Sequence, residues 1–127
     1  MSRRVITGPD AQPSALPFSP VVEANGFVFL AGQVGDVPGK HGAVPGGVEA
    51  ETRQMLDNVG RLLRVAGLGY GDVVQCTVYL RDFADFGAMN TVYREYFPAE
   101  PPTRATVGVT GLAADFRVEI VCVAARD

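Results

Sequence analysis

Histidine is almost absent from this chain: His41 is the only one in 127 residues. No serine–histidine or cysteine–histidine constellation can be assembled from it. With only two cysteines beside it, Cys76 and Cys122, a zinc set is missing as well. Each cysteine falls in an apolar run, and no short spacing joins them. They read as reduced core residues of a cytoplasmic protein rather than as a disulfide framework. No lysine–arginine cluster stands out and the net charge is −3, which argues against a nucleic-acid partner. No long apolar run follows Arg3 and Arg4, so neither a signal peptide nor a membrane partner is expected. No phosphate-cradling glycine motif precedes a helix. The chemistry left open needs one cation, one carboxylate and water.

What is present is enough for one folded domain over residues 1–127. Hydrophobic residues make up 47% and charged residues 20%, a balance that supports a core and argues against disorder. Repeats, low-complexity tracts and linkers are missing. Short strands are expected at Arg3 to Thr7 and Ser19 to Ala24, and a longer one at Phe27 to Val34. Asn25-Gly26 between the last two is a strong hairpin signal. Gly35 to Gly47 is a glycine-rich loop. Val48, Met55, Leu56, Val59, Leu62, Leu63 and Ala66 recur at helical spacing, predicting a helix from Val48 to Ala66 that Gly67 stops. Asp72 to Arg81 alternates as a strand, with Val74, Cys76, Val78 and Leu80 on one side. A second helix follows over Ala84 to Phe97, capped by Asp82 and ended by Pro98. Thr103 to Val109 and Phe116 to Ala125 complete the chain as strands. The order β-β-β-α-β-α-β-β predicts an α+β fold: a six-stranded mixed sheet with two helices on one face.

Two of these strands are apolar on both sides. Phe116, Val118, Ile120 and Cys122 oppose Val121 and Val123; Phe27, Phe29 and Ala31 oppose Val28, Leu30 and Val34. A sheet with one wet face would alternate with polar residues. The second face therefore needs a cover that two helices cannot supply, and a homo-oligomer packed sheet against sheet is expected.

A few polar residues stand where apolar ones belong. Arg104 opens a strand among apolar neighbours, and Glu119 sits inside another. An arginine keeps its charge and needs an anion wherever water is excluded. Were the last two strands a hairpin across Thr110 to Asp115, residues 104 and 119 would be close. Either Glu119 is the partner of Arg104 in a structural ion pair, or the two charges frame a pocket for an anionic ligand. Asn90 lies on the apolar stripe formed by Phe86, Met89, Tyr93 and Phe97. Its amide either bonds a strand end or loop carbonyl, or orders the wall of a pocket. Ala31-Gly32-Gln33, at a strand end, adds open space and one amide.

These residues, in this order, resemble the Rid family of reactive enamine/imine deaminases, also called YjgF and, by an older label, endoribonuclease L-PSP. The most specific stretch is Pro102-Thr103-Arg104-Ala105-Thr106-Val107, then Leu112, then Val118-Glu119-Ile120. Pro17-Phe18, Leu30-Ala31-Gly32-Gln33, Leu56-Asp57-Asn58-Val59, Ala66-Gly67-Leu68, and Asn90 with Tyr93 and Phe97 add to it. The resemblance implies a chorismate-mutase-like fold and a homotrimer with sheets inward, helices outside and pockets at subunit interfaces. It implies that Arg104 grips the carboxylate of a small 2-imino acid or 2-keto acid, and that Glu119 handles water and protons. It also implies that the Thr106 backbone contacts the substrate nitrogen or the water, while Asn90 and Gly32 shape the pocket. The reaction implied is hydrolysis of 2-iminobutanoate or 2-iminopropanoate to a 2-keto acid and ammonia. Phe18 replaces a usual tyrosine, Ala31 a common serine and Thr106 a frequent cysteine, and Thr110 departs mildly from the signature. Two hydroxyls are thereby lost from the expected pocket wall. A small-carboxylate-binding regulatory trimer with little catalysis, and a deaminase for a larger amino-dienoate, remain alternatives. RNA cleavage, which the older label suggests, finds no support in the acidic charge and single histidine.

Overall fold

Asn25 and Gly26 both adopt positive φ, 58° and 80°, in the two-residue turn that joins the first long hairpin. The computed structural model describes residues 2–127. Along the chain the strands are β1 (Arg4–Val5), β2 (Val21–Ala24), β3 (Phe27–Leu30), β4 (Gln33–Val34), β5 (Val73–Leu80), β6 (Thr103–Gly108) and β7 (Val118–Ala125). Helix α1 (Gly47–Val65) lies between β4 and β5, and α2 (Phe86–Tyr96) between β5 and β6. They form one mixed sheet in the order β1-β2-β3-β7-β5-β6, with β4 also paired to β7. The fold is α+β, as the element order predicts.

Topology departs from the sequence expectation at the C-terminal end. Strands β6 and β7 are not a hairpin: β5 lies between them, parallel to β6 and antiparallel to β7. The parallel pair needs a crossover, and α2 supplies it. Strand β6 is left at an open edge.

Two register shifts set which side chains turn inward. The strand expected at Phe27 to Val34 is broken into β3 and β4. Phe29 pairs with Val123, but Gln33 pairs with Ile120, so three residues on one side oppose two on the other. The extra residue is a bulge at Ala31-Gly32. A second irregularity, between Val73 and Gln75, turns Val74 out to 41% exposure and Val73 inward. Val74 therefore leaves the face it was expected to share with Cys76, Val78 and Leu80.

Both helices cover one face. Met55, Leu56, Val59 and Met89 meet Val28, Leu30, Cys76, Val78, Leu80 and Ile120, all buried. Each such side chain removed from water contributes about 1.5–3 kcal/mol before entropy is counted. The opposite face stays open: Phe27, Phe29, Val74 and Val107 are each 39–46% exposed. The two-sided apolar pattern of the strands corresponds to this uncovered surface.

Candidate active site

Arg104 is held by aromatic faces rather than by a carboxylate. Strand β6 aligns it with Cys76 on β5, which turns it toward the helices. There its guanidinium carbon lies 4.6 Å from the Tyr93 ring centroid and 5.7 Å from that of Phe86, both on α2. Such stacking stabilises the cation by about 0.5–2 kcal/mol and leaves its donor edge free. Among the described residues Arg104 forms no ion pair. It lines a cavity with Asn90, Tyr93, Arg94, Phe97, Pro101 and Pro102. Asn90 makes no side-chain hydrogen bond among the described residues, so the strand-end partner that would have explained it is missing. Thr106 follows on the same face of β6, aligned with Val78.

Glu119 points the other way. It pairs with Tyr79 on β5 and Val34 on β4, on the strand face opposite Ile120 and Cys122. Burial raises its carboxyl pKa above the ordinary value, and no cation offsets this. Gly32 explains how the carboxylate fits: a Cβ at position 32 would collide with Glu119 Oε2. The glycine read as open space is filled by the carboxylate of β7.

Gln33 braces this corner. Its amide nitrogen donates to the carbonyls of Ala31 (3.0 Å) and Gly32 (3.1 Å), stitching the bulge. Phe18, Ala31, Gly32 and Gln33 line a common cavity with Asp36 and Arg61, and Phe18 is 53% exposed. Asn58, buried on α1, clamps the same corner from below. Its Nδ2 donates to the carbonyls of Val34 (2.9 Å) and Asp36 (2.8 Å). Sequence reading found Asn58 only as part of a motif; its polarity inside an apolar stripe was the signal of this role.

The candidate residues thus fall into two groups on one chain. Arg104, Thr106 and Asn90 lie by α2 at the open edge strand. Glu119, Gly32, Ala31, Gln33 and Phe18 lie around the bulge. Two strand spacings and three residues separate the Cα atoms of Arg104 and Glu119, roughly 14 Å, with the side chains on opposite faces. An intrachain ion pair between them, left open by the sequence, is ruled out. Among the described residues no group of three or more His, Cys, Asp or Glu side chains is placed to hold a metal. No helix there is long and apolar enough to cross a membrane.

With this geometry established, three comparisons place the chain among known proteins. The family described as "Endoribonuclease L-PSP" matches residues 9–126. The chain is similar to Reactive Intermediate Deaminase A, chloroplastic, of Arabidopsis thaliana, 38% identical over 96% of this chain and 66% of that one. It is also similar to 2-iminobutanoate/2-iminopropanoate deaminase of Mus musculus, 39% identical over 98% of this chain and 92% of that protein. In three dimensions it resembles E. coli TdcF with bound serine, with a TM-score of 0.88 and 33% identity, covering 98% of this chain and 99% of the other.

Proposed function

We propose, from the premise that this chain belongs to the endoribonuclease L-PSP (Rid) family, that it hydrolyses 2-imino acids at sites completed by two copies of itself. Its named relatives support a Rid-type imine deaminase. The finer reading is a homotrimer, needing no metal or organic cofactor, that converts 2-iminobutanoate, 2-iminopropanoate and related enamine/imine intermediates to 2-keto acids and ammonia.

The observation that carries this reading is the separation of Arg104 from Glu119. A free guanidinium at an open strand edge and a partly buried carboxylate on the opposite face can serve one substrate only if different copies provide them. The uncovered face bearing Phe27, Phe29, Val74 and Val107 supports such an assembly. Arg104 of one copy would hold the substrate carboxylate through two parallel N–H···O bonds, with Asn90 beside it. Glu119 of the next copy would meet the reacting carbon from the Gly32 corner.

The chemistry asks little of the protein. Water adds to the C=N carbon and gives a carbinolamine, with Glu119 taking the water proton. Glu119 passes that proton to nitrogen, then takes the proton of the carbinolamine hydroxyl and gives it to the amine, so the C–N bond breaks as the C=O forms and ammonia leaves the 2-keto acid. A carboxyl held above its ordinary pKa by burial is better able to take the proton and to give it back. Because the imine is already electrophilic, orientation beside water supplies the rate.

Phe18 and Ala31 favour a second reading, in which small carboxylates bind without turnover, since neither side chain has a hydroxyl to order water. One assay separates the two. A dehydratase or amino-acid oxidase generates the imine, and keto-acid and ammonia release are followed with and without this protein. Acceleration that Arg104→Ala abolishes supports hydrolysis; Arg104-dependent binding of 2-oxobutanoate without acceleration supports the second.

A further inference from the structure

Cys76 and Cys122 are direct partners across the antiparallel strands β5 and β7. Their Sγ atoms are 3.3 Å apart, and both side chains are buried and free. Antiparallel partners have Cα atoms about 4.5–5.5 Å apart, inside the range of about 4.4–6.8 Å that a disulfide spans. Closing 3.3 Å to a bond of about 2.05 Å asks each sulfur to move about 0.6 Å, within reach of side-chain rotation. On its other side Cys76 is aligned with Arg104. The Tyr93 hydroxyl is buried beside Cys76 without a hydrogen bond of ordinary geometry. A row of Arg104, Cys76 and Cys122 therefore crosses three strands beneath the ring that carries the guanidinium.

We propose that Cys76 and Cys122 are an oxidisable dithiol that closes to an intrachain disulfide under a two-electron oxidant such as hydrogen peroxide, and that closure weakens the hold of Arg104 on its carboxylate ligand. The effect on ligand rests on the reading of Arg104 given above; the disulfide does not. Cys76 reacts first. Its thiolate attacks one peroxide oxygen and the O–O bond breaks. Cys76 becomes a sulfenic acid, and the departing hydroxide takes up the thiol proton as water. The Cys122 sulfur then attacks Cys76 Sγ, the S–O bond breaks, and a second water leaves with the Cys122 proton. Two thiols are oxidised and one peroxide is reduced to two waters.

The order follows from the surroundings. Contact with Cys122, then the Tyr93 hydroxyl and the charge of Arg104, hold the Cys76 thiol below its ordinary pKa against the effect of burial. Its partner's thiol is pushed up by Cys76 and by burial. Cys76 lies behind Tyr93 and Arg104, which line the cavity. Cys76 is fully buried, so an oxidant must be small and must enter past the Tyr93 ring. Once formed, the bond draws Cys76 Sγ toward β7 and removes its proton, so Tyr93 loses the thiol it rests against and the guanidinium loses a fixed platform.

The test begins with reduced protein, whose affinity for 2-oxobutanoate is measured by calorimetry. After treatment with hydrogen peroxide, free thiols, intact mass and affinity are measured again. Expected are loss of both thiols, a mass lower by two hydrogens, no cross-linked dimer, and reversal by dithiothreitol. The affinity should fall at least threefold. The Cys76→Ala/Cys122→Ala double variant should bind equally with and without peroxide. Thiols that persist under excess peroxide, or affinity unchanged in the disulfide form, would overturn the proposal. If reduced protein does not bind 2-oxobutanoate, the reading of Arg104 fails along with the coupling, while thiol count and mass still decide the disulfide.

Discussion

Gly32 and Glu119 share one space: the carboxylate of β7 occupies the volume that any side chain at position 32 would need. This contact places an acid at the corner where β3 gives way to β4, and it ties a backbone irregularity to the proposed chemistry. The Gln33 amide and the Asn58 clamp hold the same corner.

Gly32→Ala should therefore displace Glu119 more than it disturbs the fold. A flexible carboxylate can swing away, so the stability cost should stay near the low end of the roughly 1–3 kcal/mol typical of overpacking. Imine hydrolysis should fall at least tenfold while 2-oxobutanoate binding at Arg104 is largely kept. Thermal melts, calorimetry and the coupled assay together check this; equal losses in binding and turnover would contradict it.

Glu119→Gln should trade activity for stability. Burial lifts the folded-state pKa of Glu119 above its unfolded value, so the native state binds the proton more tightly. Its contribution is favourable below the unfolded pKa and is lost as pH rises through the folded pKa. A neutral amide removes that loss, so the variant should melt higher than the parent at pH 7 and equally at pH 4. Wild-type turnover should show an acid limb above the ordinary glutamate range, where the base becomes protonated.

Tyr93 should matter through its ring. Tyr93→Phe keeps the face beneath Arg104 but gives up the hydroxyl's contact with Cys76, so 2-oxobutanoate affinity should fall only about threefold, as on disulfide closure, since cation–π attraction comes from the ring. Tyr93→Leu removes that face and should weaken binding about tenfold, a loss within the range of about 0.5–2 kcal/mol such a contact supplies. Calorimetric titration of both variants reads the difference.

The parts of this protein legible in its sequence were those fixed locally. Asn25-Gly26 announced its turn because both residues tolerate positive φ. The apolar stripes announced both helices, and the two-sided strands announced an uncovered sheet face. The bulges at Ala31-Gly32 and Val74 were hidden, because a register shift depends on the partner strand. The same holds for β5 lying between β6 and β7, which puts Arg104 and Glu119 on opposite faces. It holds also for the meeting of Cys76 with Cys122, 46 positions apart. Arg104 and Glu119 could be picked out as charges in the wrong surroundings, but whether one chain joins them is decided only by strand order.

The most direct test of the two-copy site is complementation. Arg104→Ala and Glu119→Gln proteins are assayed alone, and again after unfolding and refolding together in equal amounts. Each alone should be inactive. If one copy supplies Arg104 and the next Glu119, random mixing in a cyclic assembly leaves about a quarter of the sites with both native residues, and about a quarter of wild-type turnover should return. A mixture as inactive as its components would contradict the account.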